Sequence, residues 1–218
     1  MAIINSSIAR KMAMALSGLF LVIFLLQHLT INLTAVIDPE TFNSLSHFMG
    51  YNPLVQFVLQ PILIFGVIFH FMMGIRLEIQ NRKARNINYG VYKGGVNASW
   101  ASRNMIISGA VILAFLAVHF YDFWFPEIDY KFIAGHEMDV SRYYEHLIGK
   151  FESPVRTGLY CLSFVLLALH LWHGFSSSFQ SMGWNNKYSK GLTGFTKFYA
   201  VAVPLGFVFI AIYLHLIQ

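Results

Sequence analysis

Five long apolar segments constrain the fold of this 218-residue chain more than any other feature of its sequence. They comprise residues 12–36, 54–80, 104–125, 155–181 and 196–217. Each is long enough, at about 1.5 Å of helical rise per residue, to cross about 30 Å of hydrocarbon. The composition, 56% hydrophobic and 11% charged residues, is too apolar for one soluble core. The segments also lack the alternation and the shorter length of β-barrel strands. The sequence therefore predicts an all-α integral membrane protein, a single domain over residues 1–218 with five transmembrane helices.

Basic residues collect on one side of these five segments, which indicates the orientation of the chain. That side carries Arg10, Lys11, Arg76, Arg82, Lys83, Arg85, Lys93, Arg103, Lys187, Lys190 and Lys197. The other side carries most of the acids and only Lys131, Arg142, Lys150 and Arg156. Because basic loops stay in the cytoplasm, we expect the N-terminus inside and the C-terminus outside, in a bacterial inner membrane. The formal net charge of +5 then reflects topology, and no nucleic-acid partner is predicted.

The connecting segments predict turns and one interfacial helix. Asn52 with Pro53, and Ser153 with Pro154, are typical helix starts. We expect the basic stretch 81–103, with Tyr89, Tyr92 and Trp100, to lie at an interface and face a cytoplasmic partner. The acidic stretch 126–153, with Tyr130, Tyr143 and Tyr144, is expected to contain an interfacial helix. Neither stretch resembles a catalytic domain.

Two further features concern the first apolar segment and the cofactors that the chain can hold. The first apolar segment contains Gln27, His28 and Asn32 and lacks a small-residue cleavage site, so we expect it to be retained. Cys161 is the single cysteine, which excludes a disulfide framework, an iron–sulfur ligand set and a Cys-x-x-Cys-His haem attachment. Any haem must therefore be held by histidine alone.

Four histidines lie in four different apolar segments: His28, His70, His119 and His170. The first and third segments run outward, which puts His28 and His119 about 23 Å above the cytoplasmic start of their helices. The second and fourth run inward, which puts His70 and His170 about 15 Å above their cytoplasmic ends. The depths therefore predict two pairs, an outer pair and an inner pair. Paired imidazoles at two depths are the arrangement that ligates two b-type haems, with the first four helices forming the haem-binding bundle.

Glycine spacing distinguishes the inner pair. His70 is followed four residues later by Gly74, and His170 by Gly174, on the same helical face. We expect these glycines to leave a slot for a flat macrocycle beside each ligand, although such spacings also serve plain helix packing. His173, which is followed by Ser177, is disfavoured as the ligand for this reason.

Other interpretations of the histidines remain open at this point. A single imidazole within the membrane also hydrogen-bonds a neighbouring carbonyl and joins two helices. His173 is expected to support the ligands or to pack, and His215 to lie at the outer interface. His47, His136 and His146 lie in outer loops and default to solvent-exposed roles. The aromatic run Phe120, Tyr121, Phe123 and Trp124 is typical of an interface belt.

Two imidazoles that fill both axial positions of an iron leave no open position for oxygen, so such haems transfer single electrons. We therefore predict an electron-transfer subunit with no catalytic residue of its own, and a lipid-soluble quinone as its redox partner.

The chain resembles the dihaem cytochrome b membrane anchors of succinate dehydrogenases and fumarate reductases over nearly its full length. The resemblance is carried by Gln27-His28-Leu29 with Asn32, Phe42-Asn43-Ser44, His47-Phe48-Met49, His70-x-x-x-Gly74, His119, and His170-x-x-x-Gly174 followed by Gly183-Trp184. It implies two haem b groups, docking to an iron–sulfur subunit that in turn carries a flavoprotein subunit on the cytoplasmic face, and menaquinone near the outer haem. Asn32, His47 and Gln60 are the polar quinone candidates at that level. The dicarboxylate site would lie on the flavoprotein.

The sequence departs from the family at two positions. Some relatives carry an acid where this chain has Gly50, and some fumarate reductases carry one where it has Ala168. We therefore predict neither a transmembrane proton path nor the physiological direction of the reaction. Two alternative functions also remain: the anchor of another quinone-linked dehydrogenase, such as a hydrogenase or formate dehydrogenase, and a haem-free histidine-relay transporter. The transporter is disfavoured because neither an inverted repeat nor a broken-helix pair is visible.

Overall fold

The computed structural model describes residues 6–83, 104–184 and 189–218. The regular elements within these ranges are all helices, and five of them are long and apolar enough to span a membrane. These are α1 (Ser7–Ile37), α3 (Val55–Lys83), α4 (Met105–Ile133), α6 (Pro154–Ser181) and α7 (Ser189–Leu216). Two shorter helices are α2 (Pro39–Tyr51) and α5 (Arg142–Phe151). The prediction of an all-α fold with five spanning helices is confirmed.

The predicted basic connection lies largely outside the described residues. The residues of this connection that lie outside the described ranges include Arg85, Tyr89, Tyr92, Lys93, Trp100 and Arg103. Lys187, in the connection before α7, also lies outside them. The predicted interfacial helix in the 126–153 stretch corresponds to α5.

The largest error in the predicted helix bounds is at the end of the third spanning helix. We expected it to end at Phe125, before Pro126, but α4 continues to Ile133 through two π-helical turns. A proline inside a helix leaves the carbonyl four residues earlier without its donor. That carbonyl belongs to Asp122, and His146 Nε2 lies 2.8 Å from it. An imidazole from α5 thus replaces the missing backbone donor, and the helix passes through the proline.

The other bounds differ less in consequence. The first spanning helix begins at Ser7 rather than residue 12, and α7 begins at Ser189 rather than residue 196. α3 begins with a π-helical turn at Val55–Leu59 and runs to Lys83 rather than residue 80. These extensions add polar turns at the helix ends, where the apolar pattern used for the prediction stops.

The buried core lies between α1, α6 and α7. α7 contributes Ala200 and Leu214, both fully buried, and the Tyr199 hydroxyl donates to the Val22 carbonyl of α1 at 2.5 Å. In contrast, α3 exposes large apolar side chains such as Phe65, which is 67% exposed. An apolar exterior of this kind is what a bilayer-facing helix presents.

Both short helices cover the same end of the bundle, which we call the capped end. They contact each other, and the backbone N–H of Tyr144 in α5 donates to the Asn43 side chain of α2 at 2.7 Å. His215 of α7 donates through Nδ1 to the Phe151 carbonyl of α5 at 2.7 Å. His215, which was expected at the outer interface, therefore contacts α5 at the capped end.

Capping residues begin the helices near this end. Asn52 accepts from the backbone N–H groups of Leu54 and Val55, and Ser153 accepts from that of Arg156. Both predicted caps are present. Asp38 caps α2, and its hydrogen bond from the Thr41 hydroxyl lowers the pKa of the Asp38 carboxyl below its usual value.

Candidate haem-binding site

The predicted inner pair meets between α3 and α6. The ring centroids of His70 and His170 are 6.4 Å apart, with an interplanar angle of 70°. Among these residues, the ring that meets His70 is therefore that of His170.

The predicted outer pair meets between α1 and α4. The ring centroids of His28 and His119 are 5.8 Å apart, and the rings are nearly perpendicular at 88°. Aromatic rings surround this pair: Phe24 stacks on His28 at 5.4 Å, and Phe123 lies 5.2 Å from His119. Phe123 of the predicted interface belt therefore packs within the bundle, whereas Tyr121 beside it is 67% exposed.

The two pairs differ in what their Nδ1 atoms contact. His70 Nδ1 lies 3.0 Å from the Ser17 hydroxyl, and His170 Nδ1 lies 3.1 Å from the Ser108 hydroxyl. His119 Nδ1 is buried with no hydrogen-bond partner in the described chain. His28 Nδ1 has only the Asn32 amide nitrogen at 3.5 Å. None of the four Nε2 atoms forms a hydrogen bond with a described residue.

Gly74 and Gly174, the two glycines predicted to leave a slot, each have a methionine side chain as their neighbour. A Cβ built on Gly74 would have the Met14 methyl group as its nearest neighbour, at 3.6 Å, and one on Gly174 would have the Met105 methyl group at 3.3 Å. The space beside both histidines is thus bounded by the ends of flexible side chains, which yield more easily than backbone.

The three quinone candidates occupy different surroundings. The Asn32 amide donates to the His28 carbonyl at 2.8 Å, one turn back on the same helix. His47 stacks on Tyr51 at 4.5 Å, and its Nδ1 is buried without a partner among the described residues. The backbone N–H of Gln60 donates to the Val55 carbonyl, and the Gln60 side chain forms no hydrogen bond with another described residue. No hydrogen bond joins the three side chains.

The solvent-exposed role expected for His146 is wrong, because its ring bonds the Asp122 carbonyl and packs against Phe123 at 5.7 Å. His47 is also only partly exposed, whereas His136 is exposed as expected. Sequence position placed His47 and His146 in loops, but they lie in α2 and α5, which pack over the capped end.

A buried carboxylate beside the outer pair was missed by the sequence analysis, which counted Asp122 among the charges of the outer surface. Asp122 has no exposed surface. Its carboxylate pairs with Arg156 at 3.2 Å and accepts from the Tyr160 hydroxyl at 2.8 Å. The Tyr160 ring lies 6.3 Å from His119, so this ion pair borders the outer histidines. The signal available in the sequence was the spacing, since Asp122 follows His119 by one helical turn.

A second polar cluster ties the end of α4 to the cover. Glu127 forms ion pairs with Lys131 and Arg142 and accepts from the Tyr143 hydroxyl at 3.2 Å. Lys131 also donates to the Gly50 carbonyl of α2. Burial, followed by the nearby Glu127 charge, raises the pKa of Tyr143 well above its usual value. The carboxylate of Glu127 thus lies against Gly50: a Cβ there would be 2.9 Å from its Oε1.

Within the described part of the chain, no group of three or more His, Cys, Asp and Glu side chains is arranged to hold a bare metal ion. The donor sets that the described residues bring together are the two histidine pairs, and a pair of imidazoles is a donor set that would suit a porphyrin-bound iron.

Comparison with known proteins gives two matches. Residues 6–85 match the family of succinate dehydrogenase/fumarate reductase transmembrane subunits. The chain is 28% identical over 153 residues to a succinate dehydrogenase cytochrome b558 subunit of Bacillus subtilis, covering 70% of this chain and 68% of the relative. No solved structure matches.

The family match covers the segment that holds His28, His70 and Gly74, and the relative extends the similarity to most of the chain. With five apolar helices, the chain is a multi-pass membrane protein, bacterial in type like its Bacillus relative. The chain resembles the cytochrome b membrane anchors of succinate dehydrogenase and fumarate reductase, as the sequence analysis predicted.

Proposed function

We propose that the chain is the membrane-anchor cytochrome b of a succinate:menaquinone oxidoreductase and carries electrons between an iron–sulfur subunit and the quinone through two b haems. The observation that carries the proposal is the meeting of four histidines from four spanning helices in two pairs, His28 with His119 and His70 with His170. The similarity to succinate dehydrogenase and fumarate reductase anchors supports the assignment to this complex rather than to another dehydrogenase.

The residues present fit two bis-imidazole haems. Metal–imidazole bonds are about 2 Å long, so an iron between two imidazoles separates their ring centres by about 6 Å. The two observed separations, 5.8 and 6.4 Å, are of this size. Each ring also keeps an Nε2 without a hydrogen bond to a described residue, and the inner rings engage Nδ1 instead.

The bound haems and the residues around them would have separate roles in electron transfer. When bound, the two haems supply one-electron transfer at two depths of the membrane. The four imidazoles would hold the two irons and leave them no open position for oxygen. The aromatic side chains around His28 and His119 exclude water from the outer pair, and Gly74 and Gly174 keep the adjoining helix turns free of side chains beside the inner pair.

The orientation follows from the charges. The end of the bundle opposite the capped end carries Arg10, Lys11, Arg82, Lys83 and Lys190. We assign this basic end to the cytoplasm, where the iron–sulfur and flavoprotein subunits would dock. The inner pair then lies nearer those subunits, and the outer pair lies nearer the capped end.

The quinone would bind near the capped end, where three polar side chains are the candidates. Among the three candidates, His47 has the one buried Nδ1 without a partner in the described chain, so its ring retains a free hydrogen-bonding group at the capped end. The Asn32 amide nitrogen already donates to the His28 carbonyl at 2.8 Å and also lies 3.5 Å from His28 Nδ1. We therefore favour His47 over Asn32 and Gln60 as the side chain that hydrogen-bonds the quinone.

Purification of the tagged chain from its native membrane tests the assignment. We expect the chain to co-purify with a subunit that carries covalent flavin. The purified complex should reduce a menaquinone analogue when succinate is supplied. A hydrogenase or formate dehydrogenase partner in place of the flavoprotein would contradict the proposed complex. A chain without a Soret band would contradict the cytochrome itself and favour the transporter.

A further inference from the structure

A five-residue pattern occurs twice, once in α1 and once in α4. The pattern is Met14-Ala-Leu-Ser-Gly18 in α1 and Met105-Ile-Ile-Ser-Gly109 in α4. Each copy faces a helix that carries a histidine with a glycine four residues later. The copies therefore pack against the two halves of the inner pair, His70 on α3 and His170 on α6.

The contacts made by the two copies correspond one to one. Ser17 lies 3.0 Å from His70 Nδ1, and Ser108 lies 3.1 Å from His170 Nδ1. A Cβ at Gly18 would be 3.3 Å from His70 Cε1, and one at Gly109 would be 3.7 Å from His170 Cε1. The methyl groups of the leading methionines are the nearest atoms to a Cβ built on the glycines that follow the two histidines. The serine is thus placed at the ring because the glycine beside it lets the imidazole approach the helix.

The hydrogen-bond partners of the serines favour one tautomer of the histidines. Ser17 Oγ lies 2.9 Å from the Met14 carbonyl, and Ser108 Oγ lies 2.9 Å from the Met105 carbonyl. A hydroxyl has one proton, and a carbonyl can only accept. When the hydroxyl donates its one proton to the carbonyl, the serine oxygen can only accept a hydrogen bond from the imidazole. Nδ1 of the imidazole then carries the proton. Nε2 then keeps its lone pair, which is the form that binds a metal.

The outer pair lacks this arrangement. His119 Nδ1 is buried without a partner in the described chain. His28 Nδ1 has only the Asn32 amide nitrogen at 3.5 Å, and that amide donates to the His28 carbonyl at 2.8 Å. The hydroxyl acceptor is therefore a property of the inner pair alone among the four rings.

We propose that Ser17 and Ser108 are positioning residues that hold His70 and His170 as Nδ1–H tautomers and make these two ligands more electron-donating than they would be without the hydroxyls. The inference rests on the proposed function, because it concerns the metal that Nε2 would bind. A ligand imidazole that donates its second N–H becomes more basic. Greater basicity favours the ferric over the ferrous state, so each serine lowers the midpoint potential of the inner haem.

The experiment is a redox titration of the whole complex, followed optically and by low-temperature electron paramagnetic resonance, with Ser17→Ala, Ser108→Ala and the double variant. Each alanine should raise the midpoint potential of one haem, with the larger rise in the double variant, and should shift one low-spin ferric signal while the other stays unchanged. Ser17→Thr and Ser108→Thr should restore both readouts, because threonine keeps the hydroxyl. Ser163→Ala is the matched control, since the Ser163 hydroxyl of α6 donates to the Leu159 carbonyl and contacts no histidine.

Each outcome is decisive. Two haems with unchanged potentials and signals in both alanine variants would overturn the inference and leave the proposed function intact. A wild-type complex without haem would overturn the proposed function itself. If the alanine variants lose one haem, its return with threonine supports the positioning role, and its loss with threonine as well overturns that role.

Discussion

The imidazole rings of His28 and His119 meet edge to face at 5.8 Å, although they belong to the first and third spanning helices. The rings of His70 and His170, on the second and fourth, meet at 6.4 Å. Alternate crossings of the membrane thus bring together residues at equal depth, and the pairs follow from the direction in which each helix runs.

Loss of single histidines should remove single haems. We expect His28→Ala and His119→Ala each to abolish the outer haem, and His70→Ala and His170→Ala each to abolish the inner one. In each variant only one of the two imidazoles that would hold the iron is left. Spectral redox titration identifies which component is lost. His173→Ala is the control on the same helix as His170 and should retain both haems; loss of the inner haem in this variant, with retention after His170→Ala, would refute the ligand assignment.

Bulk at the slot glycines should reduce occupancy of the inner site. Gly74→Leu and Gly174→Leu would place side chains beside His70 and His170, where methionine methyl groups are now the nearest neighbours. We expect about one haem per chain instead of two, measured as pyridine haemochrome. Gly158→Leu is the matched control on α6, since a Cβ there has no neighbour within 4 Å. Full haem content in all three variants would contradict the slot.

Depth and period were readable from the sequence because a bilayer imposes them. A helix must be about 20 apolar residues long to cross, so the positions of His28, His70, His119 and His170 along their segments already implied the pairing. Nothing comparable exists for the capped end. There the apolar pattern ends, and the positions of Asp122 and His146 depend on how α2 and α5 fold back over the bundle, which segment lengths do not determine.

The serines show a different limit of sequence reasoning. Ser17 and Ser108 lie in apolar segments, where a hydroxyl commonly bonds the carbonyl one turn back on its own helix. Both do so here, and only the packing of α1 on α3 and α4 on α6 shows that their oxygens also reach the histidines. The repeated Met-x-x-Ser-Gly pattern was the available signal, and its meaning required the contacts.

The ion pair of Asp122 should be costly to break. Asp122→Asn keeps the size and the acceptor for Tyr160 but leaves Arg156 without its charge partner, in a site where the carboxylate has no exposed surface. Because the Arg156 side chain is one-third exposed, we expect a loss of about 2 kcal/mol in the free energy of unfolding, below the value for a fully buried pair. Equilibrium unfolding in mixed micelles measures it. Glu78→Gln breaks the exposed pair with Arg82 and should cost less than about 0.5 kcal/mol. Equal losses in the two variants would contradict this ranking.

The role of His146 can be tested together with Pro126. His146→Ala removes the donor to the Asp122 carbonyl and should cost about 1–2 kcal/mol in the free energy of unfolding. Pro126→Ala supplies a backbone N–H beside that carbonyl, so the double variant should be more stable than His146→Ala alone. Additive losses in the double variant would show that His146 does not replace the missing proline donor.

The most direct test of the central claim is a count of haems on the purified chain, by a reduced-minus-oxidised spectrum with pyridine haemochrome quantification. We predict two b haems per polypeptide, resolved as two components in a redox titration, since two histidine pairs are present. A chain that stays colourless when haem is supplied during expression would contradict the account, and a single haem would leave one of the two pairs without its assigned role.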